Sequence, residues 1–574
     1  MTNRELADTF ALVADLLEIK GEVIYKTLAY RKAAENLSSL GRDVNDIWKQ
    51  GGQKALLEIP GVGKAIAEKI DELLQTSKLG YLEKLKKEVP AELAALLQIP
   101  DLGPKKVGLF YRELHILSIE QLKAAAQAGH LRNLPGMGEK SEAKIIAGIE
   151  SLTRRSGRQP LGEVLPFAQD LLTQIRKLPG VKTAEMGGSL RRMRATIGDI
   201  DLLVGATKPD TVIQAFVDLP NVARVLGQGP VKCSVEFHNG MRAQLWVHQP
   251  TRFGTGLQYA TGSKEHNVRL REMALDIQLS LSDQAFQRED ESEILCATEE
   301  EVYKILGMPW IPPEIREDHG EIQAALNGTL PKLIETKNIK AELHSHTTWS
   351  DGQSSILELA QAAKQRGYKV LAITDHSPSI GLVNGLNAER LREQRKEIDQ
   401  VRKKVGDSLL ILHGIELEIK ADASLDLPDE VLAWLDIVVA SLHVSIRQPR
   451  PQATARLLAA MRNPHVDIIG HPSNRMLPDR EGADLDWDAV LHTAAETGTA
   501  LEINSNPRRL DLDDVQARRA IEMGIKLAIN TDAHHPDHLD FLPFGVATAR
   551  RGWVTAKDVV NAWTPKQIQA WLKD

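Results

Sequence analysis

Histidines and acids follow successive apolar runs in the C-terminal third of the sequence. His344-Ser-His346 comes after the first run, and an alternating pair on a strand presents two imidazoles on one face, which is a natural chelate. Mixed imidazole and carboxylate sets suit Mn²⁺, Zn²⁺ or Fe²⁺, and this set is too large for one ion. The candidates after the runs are His344, His346, Asp375, His376, Glu416, His443, His471, Glu502, Asn504, Asp532 and His534.

Two aspartates after a glycine-serine turn form a second candidate site. Asp199 and Asp201 stand at the start of the apolar run 202–204, so on a strand both carboxylates point to one face and can chelate Mg²⁺ or Mn²⁺. This arrangement is typical of nucleotidyl transfer, in which divalent metals bridge a triphosphate and activate the attacking hydroxyl. Candidates for holding the phosphates are Gly188, Ser189, Arg191, Arg192 and Arg194.

Three segments in the first 150 residues repeat one pattern: an apolar residue, Pro, any residue, an apolar residue and Gly, before a basic helix start. Pro ends one helix, Gly permits the turn, and the free N–H groups of the next helix bind phosphate without reading bases. One copy could merely join two helices, but three favour nonspecific binding to DNA. The candidate contacts are Gly61, Gly63, Lys64, Gly103, Lys105, Lys106, Gly136, Gly138 and Lys140.

The strand-like runs of the C-terminal third predict the element that positions the histidines. They alternate with helical stretches, which is typical of a distorted (β/α)7 barrel, and the C-terminal ends of barrel strands meet at one rim. The predicted strands are 341–343, 370–373, 409–412, 436–440, 466–469, 500–503 and 525–529.

Composition limits the class of protein. A chain of 574 residues is too long for one core, and 42% hydrophobic with 26% charged residues indicates globular domains rather than disorder. No apolar stretch approaches the ~18 residues of a membrane span, so we expect a cytoplasmic protein with no membrane partner. Two cysteines exclude a disulfide framework and a cysteine-rich zinc module. The net charge is −7, but residues 1–160 carry three more Lys and Arg than Asp and Glu.

The repeats resemble helix-hairpin-helix elements, and the first, with residues 25–34 upstream, resembles the small N-terminal domain of DNA polymerase beta. The Gly-Ser and Asp-x-Asp motif resembles the polymerase beta superfamily, residues 258–271 resemble the nucleotide-binding segment of family X DNA polymerases, and residues 296–316 resemble their final subdomain. The resemblance covers roughly residues 1–320. It implies nucleotide contacts from Gly188, Ser189, Arg192, Tyr259, Gly262, Asn267 and Arg271.

The same resemblance places Lys69 where the Schiff-base lysine of the deoxyribose-phosphate lyase sits. A solvated lysine on the exposed side of a helix is the alternative.

Gln244 departs from the family pattern. It stands on the predicted strand 241–247 where the third catalytic carboxylate is expected, and its amide carries no charge and cannot act as a base. Loss of such a carboxylate costs on the order of 10² to 10⁴ in rate, so we expect weak polymerisation that favours Mn²⁺ over Mg²⁺. Ala260, where an aromatic residue usually follows Tyr259, also weakens the expected steric check on the sugar.

The segments of the C-terminal third that carry the candidate histidines and acids resemble the polymerase and histidinol phosphatase (PHP) domain. This resemblance implies a phosphoesterase with about three ions of Mn, Zn or Fe, and behind a family X polymerase it implies a 3′ to 5′ exonuclease. Arg475 is a candidate phosphate contact, with an exposed surface arginine as the alternative. The implied metal ligands are His344, His346, Asp351, His376, Glu416, His443, His471, Asp532 and His534.

The sequence therefore predicts a multidomain protein with mostly α helix-hairpin-helix domains, an α+β nucleotidyltransferase palm and a C-terminal distorted (β/α)7 PHP barrel. The predicted divisions are a lyase-like helical DNA-binding domain at 1–85, a helix-hairpin-helix subdomain at 86–158, the palm at 159–252, a nucleotide-selection subdomain at 253–320, a linker at 321–339 and the PHP domain at 340–574.

The expected function is DNA repair: gap-filling synthesis from deoxynucleoside triphosphates coupled to 3′ to 5′ degradation, with gapped or primer-template DNA, and further repair proteins, as partners. One alternative keeps a nuclease or 3′-end phosphoesterase alone, with the polymerase-like half as a DNA-binding scaffold. Another is a non-enzymatic DNA-binding scaffold with structural metals. A small-molecule phosphatase fits poorly with three DNA-binding turns.

Overall fold

The computed structural model describes residues 1, 3–38, 40, 43–59, 61–99, 102–154, 158–381 and 383–572. The chain divides into two units, residues 1–157 and 158–574. Within the described ranges, no helix has both the length and the apolar character needed to cross a membrane.

Every element described in the first unit is a helix. One apolar core, which includes Phe10, Leu37, Ile70 and Phe110, runs through the unit. The α-helices are α1 (Asn3–Lys20), α2 (Ile24–Ser38), α3 (Val44–Leu56), α4 (Lys64–Thr76), α5 (Gly80–Glu88), α6 (Pro104–Leu114), α7 (Ile119–Gln127) and α8 (Glu139–Arg154).

The three repeated turns lie directly before α4, α6 and α8. Gly61 and Gly136 adopt φ values of 75° and 71°, a left-handed conformation that glycine tolerates best. Gly63 and Gly103 are extended and give α4 and α6 no side-chain cap. Each of these two helices therefore begins with N–H groups that no capping side chain satisfies.

The second unit begins with an α+β region. Its main sheet has the order β2-β4-β7-β6-β5, and β4 and β7 run parallel with Asp201 opposite Gln244. The elements are β1 (Gln159–Pro160), α9 (Leu161–Ile175), β2 (Val181–Met186), α10 (Gly188–Arg191), β3 (Thr196–Ile197), β4 (Ile200–Ala206), α11 (Pro209–Val217), β5 (Val222–Gln228), β6 (Lys232–Phe237) and β7 (Arg242–His248).

A smaller region follows the palm sheet. The segment predicted as a linker, residues 321–339, contains a helix whose Glu321, Ile322 and Ala325 are buried. The elements are α12 (Phe253–Thr261), α13 (Lys264–Asp276), β8 (Ser280–Leu281), β9 (Phe286–Gln287), β10 (Glu293–Ile294), α14 (Glu299–Ile305) and α15 (Glu321–Leu326).

The rest of the unit alternates strands and helices. They are β11 (Ala341–Glu342), α16 (Ile356–Gln365), β12 (Val370–Ile373), α17 (Ala388–Val405), β13 (Leu410–Glu418), α18 (Asp429–Leu432), β14 (Ile437–Ser441), α19 (Arg450–Met461), β15 (Ile468–Ile469), α20 (Trp487–Thr497), β16 (Ala500–Asn504), α21 (Asp514–Glu522), β17 (Leu527–Asn530), α22 (Leu542–Arg551) and α23 (Pro565–Trp571). Short 3₁₀ helices of the chain span Ala91–Gln98, Leu131–Asn133, Pro250–Arg252, Pro313–Ile315, Thr336–Asn338, Gly406–Ser408, Pro536–Phe541, Ala556–Asp558 and Val560–Ala562.

The predicted barrel is confirmed. The seven strands β11 to β17 pair in chain order and in parallel, and a bridge between Ser345 and Ala533 connects the segments after the first and last strands. Side chains alternate between two cores: Val370 and Ala372 belong to an inner cluster, whereas Leu371 and Ile373 belong to a larger cluster that includes the helices. Each of the seven predicted runs overlaps one observed strand.

Candidate metal centre and nucleotide site

The side chains predicted as metal ligands lie together at the C-terminal end of the barrel. His344 and His346 follow β11, Glu416 lies on β13, and the others follow β12, β14, β15 and β17 or lie on the loop after His346. Four groups each place their ligand atoms within 4.8 Å of one another. The groups are His346, Asp351, His376 and His534; His344, His346 and Glu416; His344, His471 and Asp532; and His376, Glu416 and His443.

Glu416 lies at the centre of the cluster. Its carboxylate oxygens are 2.9 Å from His376 Nδ1, 2.9 Å from His471 Nε2 and 3.2 Å from His443 Nε2. Burial opposes ionisation, but the imidazoles of His443, His344 and His376 hold the pKa of this carboxyl well below its usual range. The central acid is therefore an anion surrounded by nitrogen donors.

Several ligand atoms are buried without a hydrogen-bond partner. Among the described residues, these include both carboxylate oxygens of Glu416, Nε2 of His344, His346 and His471, and Oδ1 of Asp532. Buried polar atoms without a partner destabilise a fold unless something else binds them. Nitrogen and carboxylate donors held this close together fit divalent cations such as Mn²⁺, Zn²⁺ and Fe²⁺.

Two glutamates orient histidines of the cluster from behind. Glu502 accepts a hydrogen bond from His344 Nδ1 at 2.9 Å, and Glu418 accepts one from His443 Nδ1 at 2.8 Å. Such bonds leave Nε2 as the ligand atom and fix the ring. Sequence reasoning included Glu502 without this role and missed Glu418, although the Glu416-Leu-Glu418 alternation on β13 places both carboxylates on one strand face.

Asp375 belongs to none of the ligand groups. Its carboxylate accepts hydrogen bonds from the Thr347 amide at 2.8 Å, Ser350 Oγ at 2.5 Å and Gln394 Nε2 at 2.6 Å. The bonds from Thr347 and Ser350 fix the loop that carries Asp351, and the bond from Gln394 ties Asp375 to α17. The candidate role of Asp375 is thus to hold a ligand-bearing loop.

The guanidinium group of Arg475, the predicted phosphate contact, binds groups of the protein itself. Its guanidinium donates to the carbonyl oxygens of Arg509, at 2.8 Å, and Leu510, and lies 3.6 Å from Asp513. Arg509 is instead the guanidinium next to the cluster, with Nε 3.6 Å from Asp532 Oδ2. The sequence alone does not distinguish these two arginines, because which loop faces the rim depends on tertiary packing, and a phosphate contact by Arg475 stays a prediction.

The palm residues form a second site. A Cβ on Gly188, whose φ is 58°, would lie 2.1 Å from Asp201 Oδ2, so only glycine lets the turn approach this carboxylate. Burial and then the charge of Asp199 raise the pKa of Asp201 to about 7, although Lys232 and Arg192 oppose the shift. Gln244 Nε2 lies 3.0 Å from Asp199 Oδ2. Sequence reasoning missed Lys232, which is one of the two cations that oppose the shift in the pKa of Asp201. Its Nζ lies 4.0 Å from the ring centroid of Trp246.

The three arginines after the glycine-serine turn have different partners. Arg191 donates to both oxygens of the buried Glu299 at 2.8 and 2.7 Å, which removes it from the set of free cations. Arg192 donates to Glu317 at 3.1 Å and to the Thr261 carbonyl at 2.5 Å. Arg194 lies 3.6 Å from Glu317 with 45% of its side chain exposed.

The segment predicted to bind nucleotide, on α12 and α13, is held by its own side chains. Asn267 Nδ2 donates to the Tyr259 carbonyl at 2.9 Å, and Arg271 Nε donates to the Asn267 carbonyl at 3.3 Å. Gly262 ends α12 with φ of 69°, and a Cβ there would lie 2.9 Å from Arg192 Nη1. The predicted phosphate turn, residues 188–194, and this segment are therefore in direct contact.

The N-terminal candidates are surface groups. Lys64 and Lys105 are exposed, Lys106 is half-buried, and the side chain of Lys140 lies outside the described residues. Lys69 Nζ donates to the Ala65 carbonyl at 3.1 Å and lies 5.1 Å from the Tyr81 ring centroid. The Tyr81 ring stacks on Tyr30 with centroids 6.0 Å apart.

Fold and sites together define a protein with helix-hairpin-helix turns, a nucleotidyltransferase palm and a metal-binding barrel. Family models match as a helix-hairpin-helix domain (residues 1–79), a SAM-like helix-hairpin-helix tandem (93–151), a DNA polymerase beta thumb (256–317) and a PHP domain (342–506).

Similar proteins agree with these matches. The chain is 37% identical over 578 residues to the DNA polymerase/3'-5' exonuclease PolX of Bacillus subtilis, with 100% of both chains covered. It is also 31% identical over 245 residues to a probable phosphatase of a Thermoanaerobacter species, which covers 41% of this chain and 94% of that protein. A probable phosphatase of Caldanaerobacter subterraneus is 35% identical over 205 residues, covering 34% of this chain and 75% of that protein. The chain belongs to the family X DNA polymerases that carry a C-terminal PHP domain.

Proposed function

We propose that this protein fills gaps in DNA by template-directed nucleotidyl transfer and removes nucleotides from 3′ ends at its barrel. The observation that carries the proposal is the convergence of nine predicted ligands at the barrel rim, with buried donor atoms that lack partners in the described structure. Full-length similarity to a polymerase and exonuclease supports joining the two activities in one chain.

At the barrel, about three ions of Mn, Zn or Fe bind to the nine side chains predicted as metal ligands, of which His344 is the first in the chain and His534 is the last. When bound, these ions supply Lewis acidity for hydrolysis of a phosphodiester. Glu502 and Glu418 orient His344 and His443, and Asp375 holds the loop of Asp351. Arg509, beside Asp532, contacts a phosphate of the DNA strand.

At the palm, Asp199 and Asp201 hold Mg²⁺ or Mn²⁺, with Gln244 as a neutral neighbour. Synthesis is weak and favours Mn²⁺, because two carboxylates neutralise a metal less well than three. The triphosphate and base contact the residues predicted for this role, namely Gly188, Ser189, Arg192, Tyr259, Gly262, Asn267 and Arg271.

In the N-terminal unit, the glycines and lysines of the three turns contact DNA phosphates. Lys69 beside Tyr81 is the candidate lyase nucleophile. We also propose that the domains divide at residues 85, 158, 252, 320 and 339. Contacts with other repair proteins and a cytoplasmic location stay predictions.

A paired assay on one gapped duplex tests the proposal. Extension and degradation are measured in Mg²⁺ and Mn²⁺ separately, for the wild type, for Asp199→Ala with Asp201→Ala, and for His344→Ala. We expect the palm variant to lose extension and keep degradation, and the barrel variant to do the reverse. Degradation that survives His344→Ala would contradict the assignment of the barrel.

The side-chain contact between Gln244 and Asp199 favours one alternative, in which the nuclease or 3′-end phosphoesterase is the sole activity and the palm only binds DNA and nucleotide. In that case the wild type extends no primer in either metal. A chain that retains metal but cleaves no phosphodiester would instead be a scaffold.

A further inference from the structure

Arg551, at the end of barrel helix α22, reaches the nucleotide side of the palm. Its Nη1 donates to Glu317 Oε1 at 2.9 Å and to the Arg192 carbonyl at 2.9 Å, while Nη2 donates to Asp514 at 2.6 Å. The side chain is only 4% exposed. A buried guanidinium with this many partners holds one position.

Glu317 is the acid that Arg551 shares with the phosphate turn. Three guanidinium groups approach the same oxygen, Oε1, with Arg192 at 3.1 Å, Arg194 at 3.6 Å and Arg551 at 2.9 Å. Burial opposes ionisation of Glu317, but Arg551, Arg192 and Arg194 lower the pKa of this carboxyl to about 2. Glu317 is therefore an anion under all working conditions.

At contact distance, the three arginines of this junction outnumber their acids by one. Arg192, Arg194 and Arg551 pair with Glu317 and Asp514, and Arg192 acts on Asp201 only at longer range. The neighbouring arginines have their own acids, since Arg550 pairs with Glu314 at 2.7 Å and Arg475 lies 3.6 Å from Asp513. In the described part of the chain, no hydrogen bond reaches Nη2 of Arg192. The guanidinium group of Arg192 can therefore donate a hydrogen bond from Nη2 to an added anion.

We propose that Arg551 is a positioning residue for nucleotide binding at the palm, because it neutralises Glu317 when Arg192 turns to a triphosphate. The inference rests on the proposed nucleotide function of Arg192. Without Arg551, transfer of Arg192 to phosphate would leave a buried carboxylate with only Arg194, and breaking a buried ion pair is costly. Arg192 would then stay on Glu317 and the triphosphate would bind more weakly.

The hydrogen bond from Arg551 to the Arg192 carbonyl adds a second effect. It holds the backbone directly after α10, the helix that starts at Gly188. The barrel thereby supports the phosphate turn as well as its counter-ion, so a residue of the nuclease half contributes to the polymerase half.

The experiment measures the dissociation constant of a fluorescent dATP analogue in Mn²⁺ by anisotropy, on the full chain. We expect Arg551→Gln to weaken binding about 5- to 50-fold and to raise KM for dATP more than it lowers kcat. Arg550→Gln is the matched control, because Arg550 precedes Arg551 on α22 and binds Glu314 and the Ile334 carbonyl, with no contact to Glu317. It should bind the analogue like the wild type.

Two further variants distinguish a positioning role of Arg551 from a general loss of structure. Arg551→Lys keeps the charge without the forked donors and should fall between wild type and Arg551→Gln, which decides the question if Arg551→Gln fails to fold. In a Glu317→Gln background, Arg551→Gln should weaken binding less than it does in the wild type, because Glu317 no longer needs neutralising and only the bonds to the Arg192 carbonyl and to Asp514 are lost.

The outcomes distinguish the inference from the function it rests on. A wild type that binds no analogue overturns the nucleotide function and the inference with it. A wild type that binds the analogue, with Arg551→Gln, Arg551→Lys and Arg550→Gln all binding equally, overturns the inference alone.

Discussion

The side-chain amide of Gln244, on β7, donates a hydrogen bond at 3.0 Å to Oδ2 of Asp199, the residue directly before the neighbouring strand β4. An amide donor in this position occupies one oxygen of a carboxylate proposed to bind metal. Gln244 therefore does more than omit a ligand: it competes with a cation for Asp199.

Gln244→Asp should restore extension. We expect primer extension in Mg²⁺ to rise about a hundredfold, because the new carboxylate adds a ligand and releases Asp199. The ratio of the rates in Mn²⁺ and Mg²⁺ should fall at the same time. Extension rates on gapped DNA measure both.

Gln244→Leu is the control for removing the amide alone. It frees Asp199 without adding charge and should improve extension much less than Gln244→Asp. Strong Mg²⁺-dependent synthesis by the wild type, with no gain in Gln244→Asp, would contradict this account of the palm.

Gly188→Ala should abolish extension through contact with Asp201. A methyl group there would lie 2.1 Å from Asp201 Oδ2, and φ of 58° adds backbone strain of about 1–3 kcal/mol. Gly180→Ala is a matched control, because Gly180 has φ of 85° but no atom within 4 Å of an added Cβ. Both variants should lower the unfolding free energy, and we expect loss of extension in Gly188→Ala alone.

Glu502→Gln should weaken degradation by misorienting His344. The carboxylate accepts from His344 Nδ1 at 2.9 Å and from Asn530 Nδ2 at 2.9 Å, and such outer partners are typically worth about 10- to 100-fold in metal affinity or activity. Metal content of the purified protein and the rate of 3′-end digestion should fall together. Glu496→Gln, on the exposed face of α20, should change neither.

The barrel and the convergence of the predicted ligands at its rim were predictable because both follow from chain order. Apolar runs separated by helical stretches predict parallel strands, and the ends of such strands meet at one rim, so His344, Glu416 and Asp532 could be brought together without a structure. Glu418 escaped notice although it alternates with Glu416 on β13, because this spacing does not distinguish an acid that orients a histidine from one that binds metal.

Pairings across long sequence separations could not be predicted. Arg191 is 108 residues from its partner Glu299, and Arg551 is 234 residues from Glu317. The sequence around a cation after a glycine-serine turn is the same whether the side chain faces a phosphate or a buried carboxylate. The partners of Arg191 depend on packing between α10, α12 and α14, for which the sequence carries no periodic signal.

Asp467 should make stability depend on pH. Burial raises the pKa of this carboxyl from 3.8 to about 7, although a hydrogen bond from the Val438 amide at 2.8 Å opposes the shift. A folded-state pKa above the unfolded value means that the unfolded chain releases its proton first, so the contribution of Asp467 to stability falls as pH rises from about 4 through 7.

Asp467→Asn keeps an acceptor for the Val438 amide and removes the ionisation. At pH 8 we expect the variant to gain on the order of 2 kcal/mol in unfolding free energy over the wild type, whereas at pH 4 the two should be nearly equal. Denaturant unfolding at both values, in the same metal, measures the difference. Asp407→Asn on an exposed turn should shift neither curve, and a wild type that lost no stability relative to Asp467→Asn between pH 4 and 8 would show that the Asp467 carboxylate is accommodated in the folded barrel.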